Sequence, residues 1–240
     1  MTTPSSFCVL GPTASGKTTW AVDLAIKHDG EIISVDSRQV YQELTLGAGK
    51  DLEAYTVDGY SVPHHLIGIV TLSDTYHLYR FQQDCWACID DIQRRGKTPI
   101  LCGGTGLYMD AILRGYELPS YRTHQVYESR QLEAHVVGIA YPPDTLRARI
   151  RQRLEARLQQ GMVAEVEGLL QGGVLPTRLL AFGLEYKWIT LYLLGEIGYT
   201  DMVEVLYKAI CAFAKRQRTW YRRMEKHGVA IDWKTPRRDV

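Results

Sequence analysis

Apolar residues follow two rhythms along this chain. Short unbroken runs, Ser6-Phe7-Cys8-Val9-Leu10, Glu31-Ile32-Ile33-Ser34-Val35, Thr98-Pro99-Ile100-Leu101-Cys102 and His135-Val136-Val137-Gly138-Ile139-Ala140, predict buried strands. Between them, helix-forming stretches span Lys17 to Ala25 and Phe81 to Arg95. The runs stop at Gly11, Asp36, Gly103-Gly104 and Pro142-Pro143-Asp144, where Asp144 is expected to cap the next helix. Strands alternating with helices predict an α/β fold, a mostly parallel sheet with helices on both faces.

The second half is helical. Leu146, Ile150, Leu154 and Leu158 recur every four residues, and Arg149, Arg153 and Arg157 share a neighbouring face, either a solvated surface or a phosphate-facing row. Trp188, Tyr192 and Leu193 have core spacing. One long helix is predicted from Asp201 to Glu225, with Lys208, Lys215, Arg218 and Arg222 near one side and Met202, Leu206, Ala209 and Phe213 opposite. Arg216, Gln217, Arg218, Arg222 and Arg223 are expected to project from the core.

A composition of 45% hydrophobic and 23% charged residues excludes disorder and fibre. No apolar run approaches the roughly 20 residues of a bilayer span, and Met1 to Leu10 has no basic segment before an apolar run. Five cysteines, an odd number in a chain of 240, are no disulfide framework, so a reducing cytoplasm is expected. The net charge of +1 hides an asymmetry: residues 211–240 hold nine Lys/Arg against three Asp/Glu. A basic end of this kind can hold phosphates.

Gly11-Pro12-Thr13-Ala14-Ser15-Gly16-Lys17-Thr18 matches GxxxxGK(S/T) between a predicted strand and a predicted helix. Loop N–H groups and a helix N-terminus suit phosphate, Lys17 neutralises its oxygens, and the Thr18 hydroxyl can ligate Mg²⁺. The motif leaves nucleotide hydrolysis, kinase transfer and diphosphate departure open. Asp36 stands at the carboxyl end of the next strand, the rim where open α/β sheets bind ligands, and can hold Mg²⁺ or accept a proton. A Walker B strand ending in Asp is missing, since Ile100-Leu101-Cys102 runs into Gly103-Gly104-Thr105-Gly106.

GPTASGKT from Gly11, DSRQVY from Asp36, PHHLI from Pro63, GGTGLY from Gly103 and AKRQRTW from Ala214 together resemble the tRNA dimethylallyltransferases, also called tRNA isopentenyltransferases. The resemblance implies a P-loop NTPase-like fold and a prenyltransferase: dimethylallyl diphosphate donates its prenyl group to the exocyclic amino nitrogen of the adenosine 3′ of the anticodon. Gly11 to Thr18 then bind diphosphate. Asp36 is the expected base, Lys17 and Thr105 assist diphosphate departure, and Thr18 holds Mg²⁺. Asp36, Ser37, Arg38, Gln39, Thr105, Lys215, Arg216, Gln217 and Arg218 face the nucleotide or tRNA. Thr105 also suits a helix N-cap.

Two departures stand out. The tRNA enzymes carry a longer helical insertion after GGTGLY, whereas only Tyr116 to Ala134 fill that gap here, a length resembling the adenylate isopentenyltransferases that act on free AMP, ADP or ATP. The expected organisation is a first core part at 1–115, a reduced insertion at 116–134, and core completion with a basic helix at 135–240. The family's diphosphate-contacting arginine precedes a Gly-Tyr pair; Arg178 before Gly183 is its nearest counterpart, at a shifted offset. A P-loop small-molecule kinase with Arg147 to Arg157 as a lid, and an inactive RNA-binding module, remain competing readings. Cys85-Trp86-Ala87-Cys88 reads as a buried helix face, and His64-His65 on an extended segment must point to opposite sides.

Overall fold

The computed structural model describes residues 6–118 and 130–235. In chain order the elements are β1 (Phe7–Leu10), α1 (Lys17–Lys27), β2 (Gly30–Val35), a 3₁₀ turn at Leu52–Tyr55, β3 (Thr56–Val57), β4 (Tyr60–Ser61), β5 (His64–His65) and α2 (Leu78–Arg94). They continue as β6 (Thr98–Gly103), α3 (Gly106–Arg114), β7 (His135–Ile139), α4 (Pro143–Gln159), α5 (Met162–Gln171), α6 (Pro176–Phe182), α7 (Leu184–Leu193), α8 (Tyr199–Lys226) and β8 (Ile231–Lys234).

Six strands form one parallel sheet in the order β5-β2-β6-β1-β7-β8. Side chains alternate across it. Phe7, Val9, Ile32 and Ile100 pack with Ala21, Val22 and Ala25 of α1, while Cys8, Leu10, Ile33 and Leu101 enter the larger core with α2, α3 and α8. Burial on both faces is why these strands read as continuous apolar runs. The order places β1 between β6 and β7, so the ends of β1, β2 and β6 converge on one rim.

The helical half departs from expectation at its margins. Pro142 occupies the N-cap of α4 and Pro143 its first position, so Asp144 lies in the first turn and pairs with Arg147. Trp188, Tyr192 and Leu193 are only half-buried; the core face of α7 is Glu185, Tyr186, Ile189 and Thr190. In α8 the buried row is Met202, Leu206, Ile210, Ala214, Gln217, Tyr221 and Met224, leaving Ala209 and Phe213 at its edge. Much of the expected insertion, residues 119–129, lies outside the described residues.

Candidate active site

Backbone shapes the phosphate loop first. Ala14 (φ 60°) and Gly16 (φ 78°) take left-handed conformations, and Ser15 N–H turns back to the Pro12 carbonyl. Gly16 is the N-cap of α1 with no side-chain cap, so the first amides of α1 remain available to an anion. Lys17 and Thr18 begin the helix and line a cavity of about 420 Å³ with Asp36, Arg38, Arg153 and Arg157.

Helix α8 holds this loop from behind. Gln217 Oε1 accepts the Thr13 N–H at 2.9 Å, its Nε2 donates to the Gly104 carbonyl at 2.8 Å, and the Tyr221 hydroxyl donates to the Gly11 carbonyl at 3.0 Å. The Gly-Gly-Thr-Gly segment is small for the same reason. A Cβ on Gly104 would lie 2.4 Å from Gln217 Nε2, and one on Gly106 would lie 2.4 Å from the Trp220 ring. Gln217 therefore does not project from the core as its neighbours' charges suggest. It falls on the Ile210, Ala214, Tyr221, Met224 row and is buried with it.

The arginine row of α4 faces the cavity and not open solvent. Arg149 Nε donates to the Ala14 carbonyl at 2.9 Å, and Arg153 and Arg157 share the Asp51 carboxylate at 2.8 and 3.0 Å. Burial lowers the pKa of Arg153, and the adjacent Arg157 lowers it further despite Asp51. Burial likewise lowers the pKa of Lys17; Cys102 and Asp36 oppose this, while Arg153 and Arg157 add to it. One carboxylate shared by two guanidiniums beside a lysine leaves net positive charge, which a bound polyanion neutralises. Arg38 is different. Burial alone lowers its pKa, but Glu185 at 2.6 Å and Asp36 more than offset that, so the net shift is upward.

Asp36 projects from the end of β2 onto the same cavity, and its Oδ1 accepts the N–H groups of Arg38 at 2.9 Å and Gln39 at 3.3 Å. Those bonds form the turn and orient the carboxylate together. Gln39 accepts from the Ser34 hydroxyl and donates to the Gly49 carbonyl. Thr105 occupies the N-cap of α3 but makes no side-chain cap; its Oγ1 accepts the Ser37 N–H at 3.1 Å, joining the ends of β2 and β6.

The structure thus brings Thr13 to Thr18, Asp36, Arg38, Gln39 and Gln217 to one cavity. Ser37 and Thr105 stand beside it. Gly11 and Pro12 are buried behind the loop, and Lys215 and Arg216 are exposed on α8. Arg178 is placed elsewhere: it donates to the Leu72 and Asp74 carbonyls and lies over the Phe182 and Tyr41 rings. Its shifted sequence offset puts it on α6, where it braces the segment after β5. Neither histidine of the adjacent pair lines the cavity. His65 joins Glu31, while the His64 ring lies tilted against Tyr55, 4.5 Å between ring centres. Cys85 is buried in α2, and its thiol is pushed well up by burial, which is inert core behaviour.

Sequence patterns left three acidic residues unassigned. Asp51 sits between the cavity arginines, Glu185 pairs with Arg38, and Glu165 accepts the Thr45 and Leu46 N–H groups and the Tyr186 hydroxyl. Apart from Tyr186, 21 positions from Glu165, their partners lie about 100 residues or more away along the chain, so local periodicity carries no signal for them. No cluster of three His, Cys, Asp or Glu suited to a metal occurs among the described residues. Oxygen donors are nevertheless present in the cavity, at Thr18 and Asp36.

The comparisons with known proteins converge on one family. A model described as IPP transferase matches residues 39–135 and 118–224, and one described as isopentenyl transferase matches residues 5–58. "tRNA dimethylallyltransferase 1" of Parabacteroides distasonis is 39% identical over 277 residues, covering 94% of this chain and 90% of that protein. "tRNA dimethylallyltransferase 2" of Treponema denticola is 41% identical, covering 95% of each. Both alignments exceed 240 positions, so each relative carries residues without counterpart here. The crystal structure of a tRNA isopentenylpyrophosphate transferase from Staphylococcus epidermidis superposes with a TM-score of 0.80 at 27% identity, covering 96% of this chain and 93% of that one. The corresponding enzyme of Bacillus halodurans gives 0.80 at 25%, covering 95% and 89%. A sheet that sets a GxxxxGKT loop, a strand-end aspartate and a Gly-Gly-Thr-Gly turn at one rim, with these matches, places the chain in the IPP transferase family.

Proposed function

We propose that this chain transfers a dimethylallyl group from dimethylallyl diphosphate to the exocyclic amino nitrogen of the adenosine 3′ of a tRNA anticodon. The observation that carries this reading is the single cavity in which a phosphate loop with surplus positive charge faces the Asp36 carboxylate. The names of the curated relatives support tRNA as acceptor.

Adenine's amino group is a weak nucleophile because its lone pair is delocalised into the ring. As the nitrogen bonds the prenyl carbon, the bond from that carbon to diphosphate oxygen breaks with its electron pair, and Asp36 takes the amino proton. A positioned base contributes roughly 10²- to 10⁴-fold. The backbone bonds at Asp36 Oδ1 hold the carboxylate in place for this. Lys17, the α1 amides and the α4 arginines stabilise charge that grows as diphosphate leaves, so they act more strongly in the transition state than before it. The Thr105 hydroxyl, with Oγ1 already accepting from Ser37, keeps its proton to donate toward the incoming base or the leaving oxygen. Thr18 together with diphosphate oxygens suits Mg²⁺, an all-oxygen donor set for a hard cation, which would add charge neutralisation at the leaving group.

The shortened segment at 116–134 supports a second acceptor, free adenine nucleotide, because less protein is available to grip an RNA stem. One experiment separates the two. Labelled dimethylallyl diphosphate is incubated with unmodified tRNA, AMP and ATP in parallel. Transfer to tRNA above either nucleotide is the expected result, transfer to AMP or ATP alone replaces the acceptor, and transfer to none refutes the reading.

A further inference from the structure

Asp51 stands in the cavity wall with its carboxylate already engaged. It holds the N-cap position of the 3₁₀ turn Leu52–Tyr55, yet makes no side-chain cap there. Its oxygens go to α4 instead: Oδ2 accepts from Arg153 at 2.8 Å, and Oδ1 and Oδ2 accept from Arg157 Nη2 at 3.0 and 3.1 Å. All three residues line the reaction cavity. Donor activation as described above uses the two arginines and gives this carboxylate no role, although a negative charge beside a phosphate site opposes binding.

The segment that carries Asp51 is pinned along its length. Glu165 accepts the Thr45 and Leu46 N–H groups, Gln39 Nε2 donates to the Gly49 carbonyl at 2.9 Å, and Lys50 Nζ donates to the Tyr41 and Gln42 carbonyls. Gly49 takes φ 71°, and a Cβ on it would lie 2.9 Å from a terminal nitrogen of both Arg153 and Arg157, so the backbone itself abuts the guanidiniums. The arginine row also has a direction. Arg149 is its end at the phosphate loop, with Nε on the Ala14 carbonyl at 2.9 Å and Nη2 3.9 Å from where a Gly16 Cβ would stand. Arg153 and Arg157 follow one and two turns further, each about 6 Å along the helix axis. A phosphate chain that starts at Lys17 and Arg149 and extends along this row reaches guanidiniums that already hold an anion.

We propose that Asp51 sets the number of phosphates the cavity accepts: its carboxylate takes the charge that a third phosphate would use, so a GxxxxGKT loop here receives a diphosphate and disfavours a triphosphate. The assignment rests on the diphosphate-donor reading above and names the specificity residue that keeps nucleoside triphosphates out of the donor site. A diphosphate still gains from the arginine pair, because two guanidiniums share one carboxylate. The additional negative charge of a triphosphate meets Asp51 at close range and loses that gain.

The test is titration calorimetry with inorganic pyrophosphate and inorganic tripolyphosphate at fixed free Mg²⁺. It compares wild type, Asp51→Asn, Asp51→Glu and, as a control for overall charge, Asp144→Asn in the first turn of α4, where Asp144 pairs with Arg147. Wild type should bind pyrophosphate at least as tightly as tripolyphosphate. Asp51→Asn should shift the ratio of the two affinities toward tripolyphosphate by roughly tenfold, the size expected for one extra ligand charge about 8 Å from one carboxylate at a partly screened site, and the shift should shrink as salt is raised. Asp51→Glu keeps the charge and should keep most of the wild-type ratio, whereas a mere loss of loop packing would move the Asn and Glu variants alike. A ratio in Asp51→Asn within twofold of wild type, an equal shift in Asp51→Glu or Asp144→Asn, or a wild type that prefers tripolyphosphate overturns the assignment. Should Asp51→Asn relax the ratio while wild type transfers no prenyl group, the proposed function fails and the role of Asp51 stands. Prenyl transfer with the ratio unmoved gives the reverse, and a wild type that binds neither anion ends both.

Discussion

Gln217 offers the sharpest test of how this site is assembled, because one side-chain amide joins the phosphate loop to the Gly-Gly-Thr-Gly turn. Its Oε1 holds Thr13 N–H and its Nε2 holds the Gly104 carbonyl, at 2.9 and 2.8 Å, in a residue only 6% exposed. In Gln217→Ala both bonds go, and a part-buried backbone donor and a buried acceptor lose their partners. Each such group costs about 1–3 kcal/mol when left unpaired. Water entering the vacated space recovers part of this, so a net destabilisation of roughly 2–4 kcal/mol is expected. Gln217→Glu separates the two contacts: the carboxylate still accepts from Thr13 but cannot donate to Gly104, and it adds negative charge beside the diphosphate site. The Ala variant should lose on the order of 10²-fold in kcat through misplacement of the loop. The Glu variant should in addition raise KM for dimethylallyl diphosphate. Steady-state prenyl transfer at varied donor, together with thermal melting, reads both. Gln217→Ala with kcat within twofold of wild type and an unchanged Tm would refute the reasoning.

Asp36→Asn keeps the shape and the turn hydrogen bonds but cannot accept a proton, so transfer should fall at least 10²-fold while dimethylallyl diphosphate still binds; undiminished turnover removes Asp36 as base. Lys17 holds diphosphate only when charged, and its pKa is lowered chiefly by burial, so donor affinity should decline as pH rises, starting below the range of an ordinary lysine. A donor Kd measured by titration calorimetry that stays flat up to the ordinary lysine pKa contradicts that. The Glu31 carboxyl is held down to about 2 by Arg95 and then His65, with burial opposing. A depressed carboxylate pKa contributes stability that is complete above the unfolded value of 4.5 and is lost as pH falls toward 2. Since Arg95 is 41% exposed, about 1–2 kcal/mol is expected after screening. Urea melts of wild type and Glu31→Gln should therefore differ at pH 7 and converge near pH 2.

The four central strands β1, β2, β6 and β7, the phosphate loop and the rim position of Asp36 were legible in the sequence, because each depends on neighbours within a few residues, whereas the short edge strands β5 and β8 carry no apolar run of their own. An apolar run ending in Gly-x-x-x-x-Gly-Lys-Thr fixes strand, turn and helix N-terminus together. The motif set was likewise enough to indicate the family. What the sequence left open depends on contacts between distant segments. The row Arg149, Arg153, Arg157 reads first as a solvated face, with a phosphate-facing row as the alternative, until Asp51 and Ala14, about 100 or more positions away, are folded against it. Gln217 shows the same limit: its charged neighbours suggest an outward face, and only the packing of α8 onto Gly104 and Thr13 turns it inward. Arg178 is the converse case, near the expected offset in sequence but spent on the Leu72 and Asp74 carbonyls once α6 is placed. Local spacing determines which face a side chain occupies on its own element. Which partner that face meets is decided only when the sheet order brings the ends of β1, β2 and β6 together beneath α4 and α8.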